Sequence, residues 1–182
     1  MKPRSIRYRL VAIGFLLICG SLAFGQQTGT LKVKATTGRA GVFVDDKYVG
    51  PAANFGITRS YAVAAGDHTV TVREPRYESA STHVTVVARK TITVKLDMKA
   101  LPEPKGPFGR LRTQGGDKYS AVYVNGAYMG HVDEFDNFAQ GLLLPPGEYA
   151  VKIVSVNGAP LADQKVVIKA NETVMVRVSG KT

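Results

Sequence analysis

The chain has 182 residues, a hydrophobic content of 45% and a formal net charge of +10. This length allows one or two small domains, and the many Val, Thr, Gly and Tyr residues favour strands and turns over helices. Because Cys19 is the single cysteine, an intrachain disulfide framework is excluded, and the fold must rest on packing and backbone hydrogen bonds.

Residues 1–25 have the features of a secretory signal peptide. Four basic residues precede the apolar segment 10–19, and Ala23-Phe24-Gly25 forms a small-x-small cleavage site. The apolar segment is shorter than the roughly 20 residues of a membrane span. An uncleaved signal anchor and a lipidated Cys19 are the alternatives, and Ile18 stands where lipidation needs a small residue. We therefore expect an exported protein that is periplasmic, on the outer surface or secreted. We expect it to contact the membrane only through residues 1–25, and only if this segment is not cleaved.

The charge is distributed unevenly after the signal peptide. Cleavage after Gly25 lowers the net charge from +10 to +6, because residues 1–25 hold 4 basic and no acidic side chains. Residues 26–100 carry +5, from 11 basic and 6 acidic side chains, and residues 101–182 carry +1, from 9 and 8. A basic surface attracts anionic envelope polymers, and a solvated charged surface is the alternative. The expected partner is an envelope protein or an anionic envelope polymer, and nucleic acid is not expected. The candidate contacts are Arg73, Arg76, Arg89 and Lys90.

A hairpin pattern occurs twice in the chain. Residues 42–50 return as residues 122–130 with every position offset by 80. Asn125-Gly126 is a strong hairpin signal, because a type I′ turn needs a positive φ at both central residues, and Asp45-Asp46 is a poorer version of the same turn. Further segments match at offsets of 81 and 82. The sequence therefore predicts one β unit used twice.

Apolar and polar residues alternate in segments 31–36, 68–73, 91–96 and 173–178. This period of two is typical of half-buried antiparallel strands. Asn157-Gly158 indicates a further hairpin. We expect six or seven strands per repeat, in two sheets packed face to face. The predicted core residues are Leu31, Val42, Val44, Val70, Val72, Ile92 and Val94 in the first repeat, and Leu111, Val122, Val124, Val151, Ile153, Val174 and Val176 in the second.

These features together resemble the PEGA domain family. The resemblance rests on the openings Gly29-Thr-Leu31 and Gly109-Arg-Leu111, the two hairpins, the turn at Pro146-Gly147 and a closing alternating strand. It implies a small β-sandwich found in bacterial surface and envelope proteins, without a common catalytic site. The predicted fold is all-β, with two tandem small antiparallel β-sandwich repeats, immunoglobulin-like or prealbumin-like in general architecture. The predicted divisions are the signal peptide 1–25, the first PEGA-like repeat 26–97, a proline-rich linker 98–108 and the second repeat 109–182.

The titratable side chains form no recognisable catalytic motif. The three histidines are scattered, with His68 on the core parity of its strand and His83 and His131 expected at the surface. No nucleophile motif and no phosphate-binding loop is present, so neither a catalytic residue nor a cofactor is predicted.

One acidic cluster follows the second hairpin. Its members Asp133, Glu134 and Asp136 are weak candidates for Ca²⁺ ligands or acid–base groups. A solvated loop whose Phe135 or Phe138 packs under the sheet is the alternative.

The hairpin aromatics Phe43, Tyr48, Tyr123 and Tyr128 are the remaining candidates for binding. Phe43 and Tyr123 have the opposite parity to the flanking valines, so they face outward or toward the neighbouring repeat. Exposed aromatics mark a binding surface, whereas packing across strands or between repeats is the structural alternative.

The function predicted is a non-catalytic envelope protein that binds or scaffolds. A carbohydrate-binding module, weakened by the absence of tryptophan, and a hydrolase using the acidic cluster are the alternatives.

Overall fold

The computed structural model describes residues 27–55, 60–137 and 140–178, and in these ranges the protein is almost entirely β. The predicted signal peptide, Cys19 and Phe138 lie outside the described residues. The first seven strands are β1 Thr28–Ala35, β2 Gly41–Val44, β3 Lys47–Pro51, β4 Tyr61–Ala64, β5 Gly66–Arg73, β6 Ala80–Val86 and β7 Thr91–Leu96. The next seven are β8 Gly109–Gln114, β9 Ala121–Val124, β10 Ala127–His131, β11 Leu142–Leu144, β12 Gly147–Val154, β13 Pro160–Ile168 and β14 Thr173–Arg177. Two short helices are a 3₁₀ turn at Ala52–Phe55 and α1 at Val132–Phe135.

The two sets of seven strands have the same topology. Each unit has a four-stranded sheet, β3-β2-β5-β6 or β10-β9-β12-β13, and a three-stranded sheet, β4-β1-β7 or β11-β8-β14. The all-β sandwich fold predicted from the sequence is therefore confirmed. One detail differs from an entirely antiparallel arrangement, because β7 runs parallel to β1 and β14 runs parallel to β8. The chain crosses from one sheet to the other before its last strand, which brings that strand beside the first in the same direction.

Each unit encloses its own hydrophobic core between its two sheets. Of the predicted core residues, all are buried except Ile92 and Val174, which are partly buried and pack against their cores. Leu31, Val42 and Val70 are fully covered in the first unit. Burial of a side chain of this size stabilises the fold by about 1.5–3 kcal/mol. The alternation of the sequence thus identified correctly which face of each strand is buried.

The hairpin turns have the predicted backbone geometry in both units. Asn125 and Gly126 have φ of 48° and 80°, and Asp45 and Asp46 have φ of 49° and 61°. The left-handed conformation is costly for a residue other than glycine, by about 1–2 kcal/mol. A side-chain hydrogen bond to the adjacent strand offsets part of this cost in each copy. Oδ1 of Asn125 accepts from the Ala150 amide at 2.9 Å, and Oδ1 of Asp45 accepts from the Thr69 amide at 2.9 Å.

Each hairpin ends in a β-bulge that directs the chain into a short helix. The register shifts by one residue between Tyr48 and Gly50, and between Tyr128 and Gly130. Gly130 has φ of 142°, and a Cβ there would lie 2.7 Å from Cζ of Phe135. The bend allows Phe135 to pack beneath the second core, where it is 4% exposed. Phe135 therefore packs under the sheet as the sequence suggested, although it does so from α1 and not from a loop.

The segment between the units is partly attached to the first unit. In the predicted linker 98–108, Met98 is buried in the first core and its amide donates to Oγ1 of Thr36 at 2.7 Å. Ala100 bridges Tyr77 across an isolated β-bridge. Residues 101–107 are exposed. Within the described ranges, no helix has the length and apolarity to cross a membrane.

Candidate functional site at the junction of the two units

The two units meet through aromatic side chains from their equivalent hairpins. We call Phe43, Tyr48, Ala121 and Tyr128 the junction cluster; its members are buried, and Tyr123 and Val156 pack beside it. The ring centroid of Tyr128 lies 5.4 Å from that of Phe43, in an edge-on contact, and 5.4 Å from that of Tyr48. Contacts of this kind contribute about 0.5–1.5 kcal/mol each beyond the area they bury. The junction cluster is therefore a third small core, shared by the two units.

Close approach of the two units requires glycine at position 41. A Cβ there would lie 2.5 Å from Cζ of Tyr128, closer than any van der Waals contact. The hydroxyl of Tyr48 donates to the carbonyl oxygen of Tyr119 at 3.0 Å, so it bridges the units. Burial raises the pKa of Tyr48 and of Tyr128, which keeps both hydroxyls protonated. The Arg73 guanidinium also packs on the ring of Phe43, with Cζ 4.3 Å from the ring centroid.

An ion pair joins the units at the edge of the junction cluster. Nε and Nη2 of Arg39 both contact Oε2 of Glu134, whose other oxygen lies 2.6 Å from Nδ1 of His131. The Glu134 side chain is 9% exposed. Burial acts to raise the pKa of Glu134, but the hydrogen bond to His131 and the positive charges of His131 and Arg39 outweigh it, so its pKa lies below the usual value. The covered Glu134 carboxylate, held by Arg39 and His131, fixes the position of α1 against the first unit.

A groove of about 730 Å³ opens beside this ion pair, between the two units and the segment that connects them. Arg76 forms a second ion pair in its wall, with Nε and Nη2 at 2.8 and 2.6 Å from Oε1 of Glu74. In both pairs the carboxylate is covered and the guanidinium is about half exposed. The groove also has an apolar wall, to which Leu101, Phe108, Leu142 and Leu143 contribute. This volume lies in the range of known small-ligand sites, about 300–1,000 Å³.

The predicted aromatic residues lie at the junction and not on an exposed surface. Phe43, Tyr48 and Tyr128 are 1%, 6% and 7% exposed, and Tyr123 is half-buried. The expectation of an exposed binding surface is therefore wrong for the first three. These three side chains instead pack against the neighbouring repeat, which was the alternative interpretation of the sequence. The reason is that the outer faces of both four-stranded sheets carry aromatics at the same position, and these faces cover each other.

The predicted basic residues do not form a single patch. Arg73 and Arg76 lie near the junction, where Arg73 also pairs with Asp46 at 2.7 Å. Arg89 and Lys90 occupy the turn between β6 and β7, at the opposite end of the first unit's four-stranded sheet. The intervening six residues of strand separate the two pairs by about 20 Å. Of the four, Arg76 lines the groove.

The acidic cluster is divided by the structure. Glu134 points into the junction, whereas Asp133 and Asp136 are exposed. Among the described residues, no group of three or more His, Cys, Asp or Glu side chains is close enough to hold a metal ion. The geometry thus assigns Glu134 to the ion pair with Arg39 and gives the calcium hypothesis no support. His131, expected at the surface, is 7% exposed because it packs beside Glu134.

His68 links the two sheets of the first unit. Its Nδ1 lies 2.6 Å from Oδ2 of Asp45, and its Nε2 lies 2.9 Å from the carbonyl oxygen of Ala64. Both partners are acceptors, so both contacts are hydrogen bonds only when the ring is doubly protonated. The hydrogen bond to Asp45 raises the pKa of His68 and lowers the pKa of Asp45. In the second unit the hydroxyl of Tyr149 donates to the carbonyl of Pro145 at 2.9 Å, which is the equivalent link.

Sequence reasoning missed the groove and most of its lining. Arg39 was not singled out because it lies 95 positions from Glu134. Leu143 and Glu74 were not singled out either, although Glu74 pairs with Arg76 only two positions away. One signal was available in the repeat alignment. Leu143 stands where the first repeat has Ala62, so the second copy has the larger apolar side chain at this exposed position.

The fold and the junction define a protein built from two small all-β sandwich units in tandem. Residues 28–101, which include all seven strands of the first unit, match the family model of the PEGA domain. PEGA domains are a family of extracellular and envelope domains, typically found in exported proteins.

No curated protein matches the chain. Among solved structures, it is similar to "The Bacillus anthracis TIE protein", with 14% sequence identity and a TM-score of 0.32, over 84% of this chain and 33% of that chain. The chain thus spans about a third of that structure's length.

Proposed function

We propose that the protein is an exported component of the bacterial cell envelope that binds or scaffolds a partner and catalyses no reaction. The observation that carries this proposal is the groove of about 730 Å³ between the two units. A groove lined by both units exists only if their relative arrangement is held, and the junction cluster supplies that restraint. The family of the first unit supports the location in the envelope.

The chemistry of the groove favours binding over turnover. Four of its charged side chains form ion pairs, Arg39 with Glu134 and Arg76 with Glu74, and the fifth, Glu103, is exposed. A general acid at neutral pH needs a carboxyl group whose pKa is raised. The hydrogen bond to His131 and the positive charge of Arg39 lower the pKa of Glu134 instead. The carbohydrate-binding alternative needs exposed aromatic platforms, and three of the four candidate rings are covered.

The proposal is tested with purified residues 26–182 and isolated envelope fractions at low and high salt. The groove is altered by Leu143→Asp, and Val167→Asp is the matched control, because Val167 is similarly exposed at 55% but does not line the groove. We expect Leu143→Asp to weaken retention about tenfold or more, since a charge then occupies an apolar contact, and Val167→Asp to leave it unchanged. Equal retention of the two variants would contradict the groove as the binding surface. Hydrolysis of an envelope glycan or peptide, lost on Asp133→Asn or Asp136→Asn, would overturn the non-catalytic function.

A further inference from the structure

The edge strand β6 lacks the features that keep a sheet edge from pairing with another chain. It is the outermost strand in the order β3-β2-β5-β6, so within the described ranges one side of its backbone pairs with no strand. The segment from Ser79 to Ala88, which contains β6, has no Lys, Arg, Asp, Glu or Pro. Its pairing with β5 runs over seven positions without a register shift. Natural proteins protect sheet edges with charges, prolines, bulges or short strands, so an edge without them is a template for another strand.

The equivalent edge strand of the second unit, β13, has three of these protections. The positions that Ser81 and His83 occupy in β6 are those of Asp163 and Lys165 in β13. Strand β13 also begins with Pro160, and its pairing with β12 contains a register shift. Because the two units share one topology, the fold itself does not require an unprotected edge in the first unit. Of these two edges, only β6 is suited to receive a strand.

The neighbouring strand holds β6 in an extended conformation. On the outer face of the sheet, three side chains of β6 lie at hydrogen-bond distance from side chains of β5: Ser81 from Thr71 at 2.9 Å, His83 from Thr69 at 3.1 Å and Thr85 from Asp67 at 2.6 Å. On the inner face, Val84 and Val86 pack in the first core. The segment between the units pairs with residues that precede β6, where the Glu78 amide donates to the Lys99 carbonyl at 2.8 Å. The edge of β6 is therefore preformed, and little conformational entropy is lost when a second strand adds to it.

We propose that the chain forms a homodimer in which β6 pairs with β6 of a second copy, antiparallel about a two-fold axis at His83. This inference goes beyond the proposed function and does not depend on it. In this register Ser81 lies opposite Thr85 and Thr82 lies opposite Val84, so outer side chains meet outer ones and core-facing side chains meet core-facing ones. A second copy matches this edge because β6 carries no charge that would oppose a like charge in its counterpart. The interface is isologous, and it joins the two four-stranded sheets into one continuous sheet.

The first test is the mass of residues 26–182, measured by sedimentation equilibrium over a series of concentrations. We expect the mass to rise from one chain to two as the concentration increases. Hydrogen exchange followed by mass spectrometry should become slower in β6, but not in β13, as the dimer forms, because outward-facing amides of β6 then donate to the second copy. A mass of one chain at every concentration, or a dimer without added protection of β6, would overturn the proposal.

A charge at position 83 tests the two-fold axis. His83→Lys and His83→Asp each place two like charges opposite one another, so each should raise the dissociation constant of the dimer about tenfold or more. An equimolar mixture of the two variants places a lysine opposite an aspartate and should restore the dimer, which separates lost pairing from lost folding. Lys165→Asp, at the equivalent position of β13, is the matched control and should leave the dissociation constant unchanged. Dimers of His83→Lys as stable as those of the unaltered protein, or a mixture that stays monomeric, would contradict pairing about His83.

Discussion

Replacing Phe43 by alanine tests whether the contact between the two units stabilises the protein. Phe43 lies on the outer face of β2, away from the core of its own unit, and is nevertheless 1% exposed. Tyr128 of the second unit and Tyr48 cover it, together with the Arg73 guanidinium. Removal of a buried phenylalanine costs about 3–5 kcal/mol when the cavity does not collapse. We expect Phe43→Ala to lower the free energy of unfolding by that amount.

The second unit offers a matched control for this change. Tyr123 occupies the equivalent position on β9 but is only half-buried, so Tyr123→Ala should cost about half as much in proportion to the area buried. Urea denaturation of residues 26–182, followed by circular dichroism and tyrosine fluorescence, measures both variants. In a thermal scan the loss for Phe43→Ala corresponds to a Tm lower by roughly 6–20 °C for a chain of this size. A loss below about 1 kcal/mol for Phe43→Ala, or equal losses in the two variants, would refute the junction as described.

Three further predictions follow from the cores, the junction and the link between sheets. Val44→Asp places a charge in the first core and should cost several kcal/mol, so an unchanged midpoint of urea denaturation would show that the strand parity is wrong. Gly41→Ala should destabilise the protein by about 1–3 kcal/mol, because the added Cβ overlaps the ring of Tyr128, and a thermal scan that matches the unaltered protein would show that the units separate freely. The link of His68 to Asp45 should make stability depend on pH. Because the pKa of His68 is raised, its contribution to stability is present below the ordinary pKa of 6.5 and is lost as pH rises through the raised pKa. Because the pKa of Asp45 is lowered, its contribution is present above the ordinary pKa of 3.8 and is lost as pH falls through the lowered pKa. Urea midpoints measured from pH 3 to 9, a range of about six units, should therefore peak between these two ordinary values, and His68→Gln should flatten the peak; an identical profile for the variant would contradict the assignment.

The fold was predictable wherever local rules decide it. The turn at Asn125-Gly126 requires positive φ at both residues, and alternation assigned Val42 and Val44 to the core, so both features follow from short segments. The repeat alignment then extended each assignment to the second unit. The parallel pairing of β7 with β1 was not predicted, because it depends on where the chain crosses between sheets. Helix α1 was missed for a related reason, since four residues show no helical period.

The candidate site was largely hidden from the sequence. Arg39 and Glu134 are 95 positions apart, and no pattern in the sequence around either residue predicts that they form an ion pair. Periodicity shows that Phe43 leaves its own core but does not show whether solvent or protein covers it. Counting charges suggested a basic first repeat, yet strand β5 separates Arg73 from Arg89, so the net charge did not correspond to a patch. Long-range packing decides each of these points.

The contact between Tyr48 and Tyr128 has a consequence for the origin and assembly of the chain. These residues occupy the same position in the two units, so each hairpin meets its own counterpart. A patch that contacts its own copy is the mark of an isologous interface, as in a two-fold homodimer. The junction is thus organised like a homodimer interface within one polypeptide, and the connecting segment replaces a bimolecular encounter by an intramolecular one, with an effective concentration on the order of millimolar. Divergence has then made the pair asymmetric, because the counterparts of Arg39 and Glu134 are the uncharged Tyr119 and Asn54. A chain in which the two units are linked forms this interface at any dilution. It has one ion pair of Arg39 with Glu134 at the groove, where a symmetric dimer would have two.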